Sequence, residues 1–412
     1  MKRLISPDFF PNFEKDDYDL IKKILLRRKN LIEGESIDLF IRGLDKFFPK
    51  GKIFLFSSER GALETFLRFY LTKENRKKVI CQAFTCFVVP KAIINSGGVP
   101  VFVDIKDGCL NFDLENLEKV YDKNVSVVIT QNTFGVPSNI ENILNFCKDK
   151  KVLLIENLAH AFSSKYKGIY LGNFGDVAIF SLGRTKVISS IFGGVLVINN
   201  ENLANEFEEY YEKLNYPKKK FVLKSLAYTL LMIRFREKYF SYGKIMMYLL
   251  RKMGFGILDI SKRERLGYSE DYLTCKLPNA FAEIAYHQLR KIIKFNEHRE
   301  KLSKIYLKEG LIPYGEKPGD DYEFYYLRYP MTTIKPKKLI EKMKKYNIYL
   351  GNWYNSPLAP LEKRLDRFGY YYGMCPNAEK LSMMIYNLPT NILTKEEDAY
   401  LISELLKKWK EL

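Results

Sequence analysis

One lysine in this chain is placed where it could attack a carbonyl carbon. Lys186 lies in the stretch Phe180–Gly194 (FSLGRTKVISSIFGG), where an apolar run ends at Ser181 and Gly193-Gly194 lead into the next apolar run. A loop lysine is ordinarily solvated, and spacing alone leaves that reading open. Held at the carboxyl edge of a sheet, with glycines that let backbone approach a ligand, it is a Schiff-base candidate. A second group is Ser57-Ser58-Glu59-Arg60-Gly61 at the start of a helical pattern. Hydroxyl, guanidinium and glycine at a helix N-terminus suit an anion, although an N-cap serine explains Ser58 equally well. A third is the apolar run Leu153–Ile155 followed by Glu156, Asn157 and His160. A lone histidine there is as readily a structural hydrogen-bonding group as a catalytic one.

These groups need a scaffold, and the text around them supplies one. Lys52–Phe56, Val79–Cys81, Pro100–Asp104, Val125–Thr130, Val152–Glu156, Asp176–Ser181 and Gly194–Ile198 read as short strands. Gly61–Tyr70, Phe87–Asn95 and Ile140–Lys148 read as helices between them. Apolar strands alternating with helices imply an α/β fold: a three-layer αβα domain whose mostly parallel sheet is covered on both faces. Ligands of such sheets sit at the carboxyl ends of the strands, where the three groups fall. Further on, residues 280–306 read as one long helix, Tyr325–Met331 as a strand and Lys335–Lys345 as a helix. Thr394 reads as the N-cap of a last helix, with Glu397 completing a capping box. The expected organisation is a large domain over 1–215, a helical insert over 216–265, and a dimer/linker helix with a small α+β C-terminal domain over 266–412.

Composition narrows the class. The chain has 412 residues, 67 Lys+Arg against 49 Asp+Glu, and a net charge of +18. With 47% hydrophobic residues it buries a large core and is not a disordered chain. Six scattered cysteines and three histidines offer no zinc-site spacing, so no metal is expected, and free thiols fit a reducing, cytoplasmic setting. The basic excess is concentrated: residues 216–265 hold 13 Lys/Arg against 3 Asp/Glu, interleaved with aromatic and aliphatic residues. That pattern fits a core-packing insert with a solvated basic face, or a helix lying peripherally on the inner membrane surface. No nucleic-acid recognition motif accompanies it, so no nucleic-acid partner is expected.

Taken in order, the segments resemble the DegT/StrS-type sugar aminotransferases of pyridoxal-phosphate (PLP) fold type I, with this chain a divergent member. The likeness rests on Gly97–Asp104 (GGVPVFVD), Asn132–Pro137, the run Lys167-Gly168 to Asp176 followed by the lysine loop, and Ala282–Leu289 with Arg299–Tyr306. Cys375–Glu379 and Asn387-Leu388-Pro389 extend it towards the C-terminus.

The resemblance implies pyridoxal 5′-phosphate as cofactor, Lys186 as the lysine that bonds it and moves the proton, and Ser181 as a phosphate contact. It puts Ser58, Glu59 and Arg60 in the phosphate loop, with Glu59-Arg60 in place of Gly-Thr, and His160 beside the cofactor's hydroxyl. Cys86 falls where an aromatic usually covers the ring. Asn157 replaces the aspartate that keeps the ring nitrogen protonated, and Thr274 replaces an asparagine that the partner subunit lends to the phosphate. Glu156 is no substitute for that aspartate, because adjacent strand residues face opposite ways. A lysine at 186 argues against the family's dehydratase branch, which carries histidine there. The implied activity is amination of a keto-sugar, nucleotide-linked, from an amino acid such as glutamate, by a homodimer. Another PLP- or PMP-dependent sugar modification, or a catalytically silent binding homologue, are the alternatives.

Overall fold

A computed structural model describes residues 3–253, 255, 257–361 and 363–409. The seven apolar runs form seven strands: β1 (Lys52–Phe56), β2 (Lys78–Gln82), β3 (Val99–Val103), β4 (Val125–Gln131), β5 (Leu153–Asn157), β6 (Val177–Ser181) and β7 (Gly194–Ile198). They make one sheet in the order β1-β7-β6-β5-β4-β2-β3. Only β7 runs against the rest, antiparallel to both β1 and β6.

Alternation along each strand sends side chains to two separate cores. On one face Ile80, Val128, Leu154 and Val195 pack under helices α1 (Lys15–Arg27), α2 (Ser36–Leu44), and two that follow, α5 (Leu114–Val120) and α6 (Ile140–Lys150). On the other, Val79, Ile129, Ile155 and Leu196 pack under α3 (Glu59–Lys73), α4 (Val88–Asn95) and α7 (Glu201–Glu212). Strands buried on both sides have no polar face to show, which is why they read as unbroken apolar runs.

The basic stretch is helical: α8 (Lys219–Glu237), a π-turn at Tyr239–Gly243, and α9 (Lys244–Lys252). α8 buries Val222, Leu226, Tyr228, Met232 and Phe235 against the first core, whereas α9 buries only Met247. The long helix expected over 280–306 is two helices, α10 (Asn279–Leu289) and α11 (Ile292–Lys308). Lys291 stands at the break and gives its ammonium to Asp17 at 2.6 Å and Asp16 at 3.1 Å, tying the junction to α1.

The C-terminal part pairs β8 (Arg328–Thr332) antiparallel with β9 (Ile385–Pro389). α12 (Pro336–Lys344), α13 (Pro376–Met384) and α14 (Glu396–Lys407) complete it. α14 starts one residue later than expected: Lys395 is the N-cap, and Asp398 rather than Glu397 reaches back to the Lys395 amide at 2.7 Å.

Candidate active site

The carboxyl ends of β4, β5 and β6 and the turns after β1 and β2 converge on a cavity of about 330 Å³. Ser58, Glu59, Arg60, Cys86, Asn157, His160, Ser181 and Lys186 all line it. Thr274 is not on its wall. Its neighbours instead close the loop before α3: the Leu273 carbonyl accepts from Ser58 Oγ at 3.0 Å, and the Cys275 carbonyl from the Ser57 amide at 2.8 Å.

Three elements fix the lysine loop. Asn12 Nδ2 donates to the carbonyls of Lys186 at 2.5 Å and Val187 at 3.2 Å. From α11, the buried Arg299 donates to the Val187 carbonyl at 2.7 Å. Within the loop, the Lys186 amide reaches the Gly183 carbonyl. The Lys186 ammonium lies 5.5 Å from the centre of the Trp353 ring. Burial pulls its pKa below the ordinary lysine value, more than the nearby Glu59 carboxylate restores. An amine easily freed of its proton is what a nucleophilic lysine requires.

At the start of α3, Ser58 Oγ accepts from the Gly61 amide at 2.9 Å, which leaves the amides of Glu59 and Arg60 at the helix's positive end. The Glu59 carboxyl is buried within electrostatic reach of Lys186 and Arg60. Burial raises its pKa, and Oε1 has no hydrogen-bond partner among the described residues. Arg60 points away to the segment after α9, where its Nη2 donates to the Asp259 carbonyl at 2.7 Å and its Nε lies 2.6 Å from Glu264 Oε1. Arg184 joins the same segment through the Ile257 carbonyl at 2.7 Å and Asp259 Oδ1 at 3.2 Å.

At the end of β5, Asn157 Oδ1 accepts from the Ala159 amide at 3.0 Å. Glu156 faces the other way and accepts from the amides of Gly172, Phe174 and Gly175 at 2.7–2.8 Å, so its carboxylate serves a loop and not the cavity. His160 Nδ1 accepts from the Phe134 amide at 3.1 Å, which puts the proton of the neutral ring on Nε2, 3.5 Å from Tyr354 Oη. Burial, reinforced by the charges of Lys186 and Arg328, holds this imidazole well below its usual pKa and therefore neutral. Burial likewise keeps the Cys86 thiol protonated despite the Val88 amide and the nearby Lys186 and Arg60. Cys86 stands on the cavity wall as a thiol rather than a thiolate.

Residues that strand-end reasoning does not find complete the cavity. Trp353 and Tyr354 come from the C-terminal part, Asp8, Phe9 and Phe10 from the N-terminal segment, and Tyr228, Met232, Arg251 and Asp259 from the basic insert. The aromatic richness of the insert was the available signal, but nothing in its spacing aims it at the lysine.

The residues present fit PLP at two ends. The aldehyde would meet Lys186. The phosphate would meet the Glu59 and Arg60 amides, which have no hydrogen-bond acceptor among the described residues, and the Ser181 hydroxyl. Asn157 offers the pyridine end an amide where a carboxylate would carry charge.

Comparison with known proteins agrees with this geometry. Residues 12–407 match the model of the DegT/DnrJ/EryC1/StrS aminotransferase family. An uncharacterized protein of Methanocaldococcus jannaschii is 25% identical over 350 residues, covering 82% of this chain and 81% of that protein. The UDP-4-amino-4,6-dideoxy-N-acetyl-beta-L-altrosamine transaminase of Helicobacter pylori is 27% identical over 195 residues, 47% of this chain and about half (51%) of the relative's own length. The solved structure of Helicobacter pylori PseC, an aminotransferase involved in the biosynthesis of pseudoaminic acid, shares the fold at a TM-score of 0.71 and 18% identity, covering 100% of this chain and 99% of that one. A lysine loop pinned at the carboxyl edge of a seven-stranded sheet, and a family match over nearly the whole chain, lead to one assignment: this protein belongs to the DegT/DnrJ/EryC1/StrS aminotransferase family, enzymes that aminate sugars with PLP.

Proposed function

We propose that the chain moves an amino group from an amino acid, glutamate in the first instance, onto a keto-sugar carried by a nucleotide, with PLP held at Lys186 and the working unit a homodimer. The observation that carries the reading is Lys186 itself: its ammonium, destabilised by burial, sits between a helix N-terminus suited to a phosphate and an aromatic wall suited to a ring. When bound, PLP supplies an electron sink for the carbon that loses its proton.

The protein's own groups do the rest. The Glu59 and Arg60 amides and Ser181 orient a phosphate. Lys186 Nζ, with a pKa lowered toward the working range, takes and returns a proton. Tyr354 and Trp353 bound the space above it, and neutral His160 presents Nε2–H to Tyr354. Arg251 adds a positive group to the cavity wall for an anionic sugar carrier.

The test is spectroscopic and then chemical. Purified protein given PLP should gain an absorbance band that borohydride bleaches and Lys186→Ala abolishes. With glutamate and a 4-keto nucleotide sugar it should form 2-oxoglutarate and the amino sugar in equal amounts. Failure to acquire the band removes the reading. Asn157 favours a second reading, a PLP- or PMP-dependent sugar modification needing less carbanion stabilisation, and a band without amination would select it.

A further inference from the structure

The catalytic cavity accounts for α8 and for the segment after α9, but not for the outer side of α9. Ile245, Tyr248 and Leu249 lie at i, i+3 and i+4 on that helix and are 61%, 64% and 40% exposed. Lys252 follows at i+7, and Tyr242 and Met253 extend the same side at either end, 45% and 77% exposed. An apolar stripe at helical spacing normally faces a core. Here only Met247 does so.

Cations frame the stripe. Lys244, Arg251 and Lys252 belong to α9, and among the described residues no carboxylate pairs with Lys244 or Lys252. The three acids of the insert are committed elsewhere: Glu237 to Arg234, Asp259 to Arg184 and Glu264 to Arg60. Among the described residues, no acidic side chain therefore neutralises Lys244 and Lys252 on this side. Among the described residues, no helix is long and apolar enough to cross a membrane.

We propose that the outer side of α9 docks on the surface of an anionic lipid bilayer, lying in the interface with Ile245, Tyr248, Leu249 and Met253 dipped among the headgroups and Lys244 and Lys252 against lipid phosphates. Exposed aliphatic and tyrosine side chains edged by unpaired lysines are what an interfacial helix presents. Charge decides between this occupant and a second copy of the chain. A twofold contact through α9 would set one basic patch against its own image, whereas anionic lipid complements it. Arg251 lies on α9 and also on the cavity wall, so docking brings the insert side of the cavity within about one helix diameter, ~10 Å, of the headgroups.

The experiment uses the full chain and sedimentation with vesicles of phosphatidylcholine alone or with about a third phosphatidylglycerol. Wild type should sediment with the anionic vesicles only, and less so at high salt. Lys244→Gln/Lys252→Gln should weaken that binding roughly thirty-fold, two cations at about 1 kcal/mol each, and leave turnover in solution unchanged. Tyr248→Trp should show a blue-shifted emission with anionic vesicles and none with phosphatidylcholine. Equal sedimentation of wild type and the lysine variant, or an unshifted tryptophan, overturns the proposal. So does conversion of a dimer to monomer by Ile245→Ser/Leu249→Ser in sedimentation velocity, because the stripe would then belong to a second copy.

Discussion

Arg60 and Glu264 lie 2.6 Å apart, Nε to Oε1, and the carboxylate has no exposed surface. One belongs to the first turn of α3 beside the lysine and the other to the end of the basic insert, so this ion pair fastens the insert to the site. Removing one partner of such a pair strands a buried charge at a cost of about 3–5 kcal/mol. Glu264→Gln should lower the urea midpoint by that order and open the segment around 257–273 to protease. Arg60→Met/Glu264→Leu should recover most of the loss, since no charge is then left buried. Additive effects in the double-mutant cycle would show that the two side chains do not act as a pair.

Glu59 is the carboxylate whose charge most raises the Lys186 pKa against the pull of burial. Glu59→Gln removes that support, so the ammonium becomes more acidic and the free amine persists to lower pH. The pH profile of Lys186 acylation, followed by peptide mass spectrometry, should shift its midpoint downward. An unmoved or upward midpoint would mean that the two groups do not sense each other.

Asn157→Asp places a carboxylate where the pyridine nitrogen is expected while keeping an Oδ1 for the Ala159 amide. If the amide limits the reaction, amination should speed up at least about tenfold, ~1.4 kcal/mol of barrier, with little change in KM. A slower or unchanged enzyme would show that the chemistry is built around the amide.

Gly61→Ala sets two effects against each other. Helix propensity favours alanine by about 1 kcal/mol. The added Cβ, however, would fall 1.8 Å from the Leu273 carbonyl oxygen and 2.9 Å from Ser58 Oγ, and a backbone oxygen cannot swing aside. Overpacking of about 1–3 kcal/mol and loss of a cap worth ~1 kcal/mol should win. The variant should melt earlier than wild type, whereas Gly319→Ala, with nothing within 4 Å, should not. A Gly61→Ala protein as stable as wild type would refute the close approach.

His160 adds an acid limit. Its folded-state pKa lies well below 6.5, so between that value and 6.5 the unfolded chain binds a proton that the folded one refuses. Stability should be unaffected above pH ~6.5 and should fall as the pH drops toward the folded pKa. Urea midpoints at pH 7.5 and 5.5 should differ less in His160→Gln than in wild type. An equal difference would place the proton elsewhere.

All seven strands were legible because each is a short apolar run closed by polar or glycine residues, and strand ends mark the cavity by the logic of the fold. The break at Lys291 was not, because apolar periodicity continues across it and the acids that hold Lys291 there, Asp16 and Asp17, are remote in the chain. The shift of the last N-cap from Thr394 to Lys395 is a choice between adjacent acids. What sequence reading missed at the site arrives by packing from afar. Arg184 meets Ile257 across 73 residues, and Asp259 meets Arg60 across 199.

The insert that supplies Tyr228, Met232, Arg251 and Asp259 to the cavity is contiguous in the chain, between β7 and α10. An exchange of this segment would have to bring new partners for the guanidinium groups of Arg60 in α3 and Arg184 in the lysine loop, which it now holds through Glu264 and Asp259. Comparison of the catalytic motifs alone would overlook the piece that builds this wall of the cavity.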